Sequence, residues 1–280
     1  MQIDDGAIFA GVIVRLATIR RGNDFLQTMP SSTAQLPKTA AEVSPVREVT
    51  LFARADLTPF VELLEPQALQ PKSIDGKAEL MMSATDTRFY GIRFREFSIN
   101  VLLEDAAANA RNEASVFLIR AFNTVRFFAW VERTVFRTPY DHAVISGQYN
   151  TPVKISVTRR ARPIVDLCMA DIPDREPLRS GEDNWTGRIH LPTPPGKQAP
   201  ADAKMFFGEL SGQAEVYAFD EADQIRLHEQ SDYPILQTIN AANFQPKRWL
   251  IRQAGRHKKT KTVPRSWTMP STAQPNESAD

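Results

Sequence analysis

Residues 90–101, YGIRFREFSINV, alternate apolar and polar side chains, which is the pattern of a β-strand with one buried face. The apolar positions form two sets that are out of phase by one residue: Tyr90, Ile92 and Phe94, then Phe97, Ile99 and Val101. Because successive side chains of a strand point to opposite faces, a regular strand cannot bury both sets on one face. A β-bulge at Arg95 and Glu96 would return both sets to one face, and bulges are common beside functional sites.

Strand patterns dominate the rest of the chain between about residues 49 and 254. Further strands are predicted at 115–121, 142–149, 153–158, 163–169, 186–191, 213–219, 224–229 and 248–253. Two segments have the helical period instead, 123–136 and 201–211. Many strands with two or three helices predict a β-rich α+β domain.

The helix predicted at 123–136 is unusually aromatic. Its stripe of Val125, Phe128, Val131 and Val135 recurs at spacings of three, three and four, and Asn123 would be its N-cap. A helix with this much apolar surface must lie against a sheet or fill the end of a barrel.

Composition and local bias set the predicted domain boundaries. With 280 residues and 42% hydrophobic content, the chain can bury a substantial core. Residues 1–48 are predicted to be an N-terminal segment ending in a linker rich in Pro, Ser, Thr and Ala. Residues 49–254 form the predicted domain, and residues 255–280 a basic and then disordered tail.

Charge and hydropathy exclude several classes of protein. A net charge of +1 argues against a protein built to bind nucleic-acid phosphates. No apolar run reaches the roughly 18 residues of a membrane-spanning helix, and the charge order around the apolar N-terminal run is opposite to that of a signal peptide. Cys168 is the only cysteine, so an intrachain disulfide is excluded. We expect a cytoplasmic protein without nucleic-acid or membrane partners, and a homo-oligomer is left open.

The chain carries no local motif for a bound cofactor or metal. The glycines form neither of the two common phosphate-binding loops, and there is no GxSxG nucleophile turn. The four histidines lie in neither an HxH nor an HExxH spacing, which disfavours zinc held by neighbouring residues. We therefore expect no cofactor and no metal.

Polar groups interrupt the apolar segments at several positions, and these are the candidate site residues. They are Arg93, Arg95, Glu96, Arg120 and Glu132, followed by Tyr140 and His142 just after the aromatic helix. Charges that enter a core must be paired or they destabilise it by several kcal/mol. These residues therefore either lie on the solvent side of their elements or line a cavity, with an arginine available to hold an anionic ligand.

Four ordered segments together resemble a known family. DLTPFVELLEPQALQPKSIDGKAELMM, FYGIRFREFSINVLL, VFLIRAFNTVRFFAWVERTVFRTPYDHAVI and FFGELSGQAEVYAFDEADQIRLHEQSDYPIL are similar to segments of the DUF2071 family, in the acetoacetate decarboxylase-like superfamily. The resemblance covers about residues 49 to 253. It implies an open, cone-shaped antiparallel β-barrel with a few short packed helices around an apolar cavity.

The resemblance also implies what the turn after the helix does. In the decarboxylases, a lysine in this turn forms a Schiff base with a β-keto acid, and a neighbouring cation activates it. Pro139 matches the proline of that motif, Tyr140 stands at the Schiff-base lysine and Asp141 at its neighbour. A phenol cannot form an imine, so acetoacetate decarboxylase activity is not expected.

Two functions of different classes remain. In the first, the barrel binds or acts on a small organic carboxylate or carbonyl compound. Tyr140 and His142 would then be the catalytic groups, with Arg93, Arg95, Glu96, Arg120 and Glu132 binding the ligand. In the second, the barrel is a non-catalytic scaffold that acts through protein partners.

Overall fold

Strands make up most of the computed structural model, which describes residues 37–229 and 232–267. The strands are β1 Thr39–Asp56, β2 Ser73–Ile74, β3 Lys77–Phe89, β4 Ile92–Leu102, β5 Ala114–Asn123, β6 Tyr140–His142, β7 Val144–Gln148, β8 Lys154–Arg159, β9 Arg162–Cys168, β10 Arg179–Glu182, β11 Trp185–His190, β12 Lys204–Ser211, β13 Gln213–Ala218, β14 Gln224–Leu227, β15 Gln245–Thr260 and β16 Val263–Pro264. The helices are α1 Thr58–Leu64, α2 Ala106–Asn109, α3 Arg126–Val131 and α4 Pro234–Ala241, with a 3₁₀ turn at Glu65–Gln67 and a π-helical turn at Glu132–Phe136.

Seven strands form a closed ring. They pair in the order β15, β1, β3, β4, β5, β11 and β12, and β12 pairs again with β15. Closure leaves these strands without a free edge at those pairings, which removes a site of unwanted strand association. The β-rich barrel with a few short helices is thus confirmed. It differs from the expected form in two details, because the ring closes and β5 pairs with β11 in parallel.

The main core lies outside this ring. A second, four-stranded antiparallel sheet in the order β14, β9, β8, β7 packs with α1 and α4 against one face of the strands β1, β3, β4 and β15. Leu51, Leu80, Phe97 and Leu167 are almost fully buried between the two layers. Side chains of this size each contribute about 1.5–3 kcal/mol when fully buried. The opposite face of the same strands is left to line the barrel interior.

The predicted bulge at Arg95 and Glu96 is wrong. The β3–β4 ladder runs without interruption from the Phe89–Ile92 pair to the Leu80–Val101 pair. The two apolar sets lie on opposite faces, and both faces are covered: Phe97 packs in the outer core, while Phe94 packs with residues around α3. A strand buried on both faces does not need a common apolar phase. The register shift of β4 is instead against β5, between Ile99 and Asn100.

The aromatic helix is confirmed, although it is shorter than predicted and ends in a π-helical turn. Asn123 is not its N-cap, but its side-chain oxygen accepts a hydrogen bond from the Val125 amide at 2.7 Å. Phe128 packs with Phe94 of β4 and Leu210 of β12, two strands that face each other across the ring. The helix therefore fills one end of the barrel.

The helix predicted at 201–211 is wrong, because residues Lys204–Ser211 form β12. Phe206 and Phe207 are both buried, which in a strand requires cover on both faces. Phe206 packs in the barrel with Tyr140, and Phe207 contacts Trp267 at a ring-centroid distance of 5.2 Å. The adjacent residues Phe206 and Phe207 fit the apolar face of a helix in the sequence, but in the structure they lie on opposite faces of a strand.

Both predicted boundaries of the domain need correction. β1 begins at Thr39, so residues 39–48 are strand and not linker, and β15 extends to Thr260, so residues 255–260 are not tail. Both extensions pair with each other, as in the Val43–His257 pair. Residues 1–36 and 268–280 lie outside the described residues. No helix in the described parts of the chain is long and apolar enough to cross a membrane.

Candidate functional site

A cluster of ionisable side chains lies on the inner face of the barrel. Glu96 is on β4 and Lys259 is on β15, and the strands β1 and β3 separate these two in the ring. The charge of Lys259 nevertheless lowers the pKa of Glu96. Since the two strands are not neighbours, this interaction crosses the ring interior.

Lys259 and Glu132 form the closest ion pair of this cluster. The Lys259 Nζ lies 2.7 Å from each carboxylate oxygen of Glu132, and the Thr138 hydroxyl donates to the same carboxylate at 2.9 Å. Both side chains are largely buried, with 10% and 15% of their surfaces exposed. Aromatic rings surround the ammonium, at 4.5 Å for Phe206 and 5.0 Å for Phe136. A cation over ring faces is favoured by their quadrupoles, so these rings add to the ion pair.

The pKa of Glu96 is unusually high for a glutamate. Burial, and secondly the neighbouring Glu132 carboxylate, raise the pKa of Glu96 to about 7, although Lys259 and a 2.8 Å hydrogen bond from Asn123 oppose the shift. A carboxyl group near its pKa at neutral pH can both donate and accept a proton. The Tyr140 hydroxyl hydrogen-bonds this carboxylate, and burial raises the pKa of Tyr140 well above its usual value. Tyr140 is therefore a neutral hydrogen-bond donor.

His257 lies two residues before Lys259 on the same strand, so both side chains share a face. Burial, together with the charge of Lys259, lowers the pKa of His257 to about 4. It is thus neutral at physiological pH and adds no further positive charge to the interior.

Arg93 and Arg95 do not join this cluster. Because the β4 ladder is unbroken, they lie on the face opposite Glu96, where both bind Asp86. Arg93 is bidentate, with Nε 2.8 Å from one oxygen, and Arg95 also donates to the Ile145 carbonyl at 3.0 Å. The contacts of these two arginines are therefore on the outer face.

Arg120 also lies away from the interior cluster, whereas His142 shares a face of the short strand β6 with Tyr140. The Arg120 guanidinium lies 3.2 Å from Asp141, the residue that faces outward next to Tyr140. His142 hydrogen-bonds the Thr124 backbone, and burial and the charge of Arg126 lower its pKa. Among the described residues no hydrogen bond joins His142 to Tyr140. The acid–base role of His142 stays a prediction.

The structure therefore brings together three of the seven predicted residues, Glu96, Glu132 and Tyr140. It adds Lys259, which sequence reasoning missed because the residue lay in the predicted tail. No local signal marks Lys259, because the register of β15 against β1 shifts between the Glu48–Arg252 and Val46–Gly255 pairs and interrupts the alternation of the preceding strand. No group of three or more potential metal-ligating side chains occurs in residues 37–229 and 232–267. The cluster is suited to hydrogen bonding and proton exchange.

Comparison with known proteins supports the fold alone. No protein-family model and no curated protein matches the chain. Among solved structures, the acetoacetate decarboxylase of Legionella pneumophila is similar with a TM-score of 0.55 and 12% identity, covering 85% of this chain and 93% of that one. A second acetoacetate decarboxylase structure has a TM-score of 0.56 and 10% identity, with 85% and 94% covered.

A third similar structure is the enduracididine biosynthesis enzyme MppR, complexed with the condensation product of pyruvate and imidazole 4-carboxaldehyde. Its TM-score is 0.53 at 12% identity, and the match covers 84% of this chain and 93% of that one. The chain thus has an acetoacetate decarboxylase-like fold. The narrower resemblance to the DUF2071 family stays a prediction.

Proposed function

We propose that the barrel interior binds a small organic compound with a carbonyl or carboxylate group, and that Glu96 and Tyr140 exchange or donate a proton there. The observation that carries this proposal is the position of the Glu96 carboxyl group. It lies beside the buried Tyr140 phenol and the buried Lys259–Glu132 ion pair, and its pKa is raised to about 7. Perturbed acids of this kind concentrate at functional sites. Two of the similar structures agree with a carbonyl ligand: one is named an acetoacetate decarboxylase, and the other is complexed with a condensation product of pyruvate.

Lys259 would hold the ligand by charge. Its partner Glu132 lies on the π-helical turn after α3, and such turns are frequent at functional sites. A ligand carboxylate can take the place of Glu132 on the Lys259 ammonium. The ligand carbonyl would then accept a hydrogen bond from Tyr140 or from protonated Glu96. The charge on Lys259 thereby sets the preference for an anionic compound.

The proposal excludes Schiff-base decarboxylation. The position of the Schiff-base lysine in the resembled motif is occupied by Tyr140. Lys259 makes two 2.7 Å contacts with the Glu132 carboxylate, so its terminal nitrogen is engaged in an ion pair and is not free to attack a carbonyl. Lys259 is thus a binding residue in this scheme.

Isothermal titration calorimetry with pyruvate and with acetoacetate tests the proposal. We expect saturable binding to the wild type and at least about tenfold weaker binding to Lys259→Met, since a charge-assisted contact is lost. Lys258→Met is the matched control, because Lys258 is adjacent but contacts Glu209 at 3.4 Å. Equal loss in both variants, or no binding at all, would refute the interior site.

Borohydride reduction with acetoacetate tests the chemistry separately. Intact mass spectrometry should show no covalent adduct on the wild type. An adduct that disappears in Lys259→Met would show that Lys259 forms an imine, and would overturn the non-Schiff-base assignment while leaving the interior site in place.

The alternative function is a non-catalytic barrel that acts through protein partners. Trp130 of α3 and Val135 of the π-helical turn favour it, because 51% and 60% of their surfaces are exposed. Light scattering of the wild type and of Trp130→Ser tests self-association, the simplest form of this alternative. A monomer in both cases, together with ligand binding, would favour the interior site.

A further inference from the structure

Asp141 lies at the centre of a second cluster, on the outward side of β6. Three guanidiniums from three different elements face its carboxylate: Arg120 of β5 at 3.2 Å, Arg133 of the π-helical turn at 3.6 Å and Arg159 of β8 at 3.8 Å. Three positive charges thus meet one negative charge.

Asp141 does not satisfy these arginines. One of its oxygens accepts hydrogen bonds from Arg120 and from the Tyr233 hydroxyl, at 3.2 and 3.3 Å. The distances to Arg133 and Arg159 exceed the usual hydrogen-bond length of about 2.7–3.2 Å, so these contacts are electrostatic only. Arg159 also lies 3.5 Å from Asp232, whose side chain is largely exposed. With both carboxylates counted, the cluster keeps a positive excess.

A buried aromatic ring holds two of the guanidiniums in place. Arg120 and Arg159 lie over the Tyr233 ring at 5.1 and 5.6 Å from its centroid. Tyr233 itself is buried and packs edge-on against Phe122 of β5 at 5.3 Å. Arginines fixed in this way lose little freedom when they bind a ligand, which favours affinity.

We propose that Arg120, Arg133 and Arg159 form a binding site for a small dianionic oxyanion, of the class of inorganic phosphate or a phosphate monoester. Such a group carries a charge of about −1.5 to −2 at pH 7 and offers three acceptor oxygens. The negative charge of such a group matches the positive excess of the cluster, and its oxygens match the guanidinium N–H groups that do not hydrogen-bond to Asp141. The site lies on the opposite side of β6 from Tyr140, so it is independent of the interior site.

Calorimetric titration with inorganic phosphate, at constant ionic strength in a buffer of amine type, tests this site. We expect saturable binding to the wild type, and at least about tenfold weaker binding to Arg133→Gln and to Arg159→Gln, because each loses a charge-assisted contact. Arg93→Gln is the matched control: its side chain is exposed to a similar extent, 53% against 59% for Arg133, but it is bidentate to Asp86. The control should bind phosphate as the wild type does.

Asp141→Asn gives a test with the opposite sign. Removing the Asp141 carboxylate, which all three arginines face, should tighten phosphate binding several-fold, because the ligand no longer competes with it. A purely structural cluster would show no such gain. If this variant does not fold, the arginine variants decide the question alone.

Three results would overturn the proposal. They are no saturable binding of phosphate up to millimolar concentration, equal affinity in Arg133→Gln, Arg159→Gln and Arg93→Gln, or weaker binding in folded Asp141→Asn. Malonate serves as a dicarboxylate probe. Tighter binding of malonate than of phosphate would overturn the phosphate class.

Discussion

The Lys259 ammonium lies 2.7 Å from both carboxylate oxygens of Glu132, and this pair joins the last long strand to the π-helical turn after α3. The two residues are 127 positions apart in the chain. Their contact fixes the end-filling helix to the wall of the barrel. It also places a positive charge beside Glu96 and Tyr140.

Replacing Lys259 by methionine should be strongly destabilising, because it leaves Glu132 buried without its partner. Loss of one member of a buried pair typically lowers the free energy of unfolding by about 3–5 kcal/mol. The double variant Lys259→Met with Glu132→Gln should recover much of this loss, since the uncompensated charge is gone. Urea unfolding of the wild type, both single variants and the double variant measures the coupling. Additive effects would show that the pair does not interact energetically.

Glu96→Gln should stabilise the protein at neutral and higher pH. The folded-state pKa of about 7 lies above the ordinary glutamate value of 4.5, so the folded protein binds the proton more tightly than the unfolded chain. Glu96 therefore costs no stability below about pH 4.5, and stability is lost as the pH rises through 7, by on the order of 3 kcal/mol at most. Glutamine keeps an acceptor for Asn123 and does not titrate.

The measurement is the difference in unfolding free energy between Glu96→Gln and the wild type from pH 4.5 to 8. We expect this difference to be small at pH 4.5 and to grow up to pH 8. Glu62→Gln on the exposed side of α1 controls for the loss of a carboxylate as such. A difference that is independent of pH would contradict the raised pKa.

The sequence predicts a site residue well only where the local pattern of apolar and polar residues shows which side of its strand or helix the residue occupies. Glu132 and Tyr140 flank a helix end that the aromatic period marks clearly, so their region was identified. Arg93, Arg95 and Glu96 are candidates because all three interrupt apolar stretches, but the unbroken β4 ladder puts Glu96 on the face opposite both arginines. Both faces of β4 are buried, one in the outer core and one inside the barrel. The sequence of a single strand does not show which face packs against which part of the protein.

Lys259 could not be found in this way, because its role depends on long-range pairing. The segment at 255–260 reads as a basic tail until β1 and β12 pair with it on either side. In the same way, Arg120 and Arg159 meet at Asp141 only because β5, β6 and β8 come together in space. Such convergence is a property of the topology and not of any local period.

His190→Gln should make the protein more resistant to acid. His190 is buried, and its Nε2 lies 3.1 Å from the Ser115 hydroxyl. Burial, and secondly the charge of Arg265, lower its pKa to about 4, so below pH 6.5 the unfolded chain binds the proton more tightly than the folded protein. Stability is therefore present above pH 6.5 and is lost as the pH falls to 4, by on the order of 3 kcal/mol at most.

Urea unfolding at pH 4.5 and at pH 7 measures this effect. We expect the acid-induced loss of unfolding free energy to be smaller in His190→Gln than in the wild type. Part of the loss should remain in the variant, because the pKa of His257 is also lowered to about 4. An unchanged loss would show that His190 is not kept neutral by its surroundings.

Gly187→Ala should destabilise the barrel at the β11–β12 pair. Gly187 and Gly208 are directly opposite each other, and the Trp185 ring covers both. A Cβ at residue 187 would lie 2.5 Å from Cζ2 of Trp185 and 2.9 Å from the Ala114 carbonyl oxygen, so both the ring and the parallel strand β5 resist it. Overpacking of this kind costs about 1–3 kcal/mol.

Gly208→Ala is the graded control, because its Cβ would meet the same ring at 2.9 Å and Ile189 at 3.2 Å, both of which are side chains that can move. We therefore expect a larger loss of unfolding free energy for Gly187→Ala than for Gly208→Ala. Adding Trp185→Leu should relieve Gly208→Ala more completely than Gly187→Ala, since the Ala114 carbonyl remains in place beside residue 187. Urea unfolding of the four variants gives the order, and a reversed order would contradict the packing of Trp185 over this glycine pair.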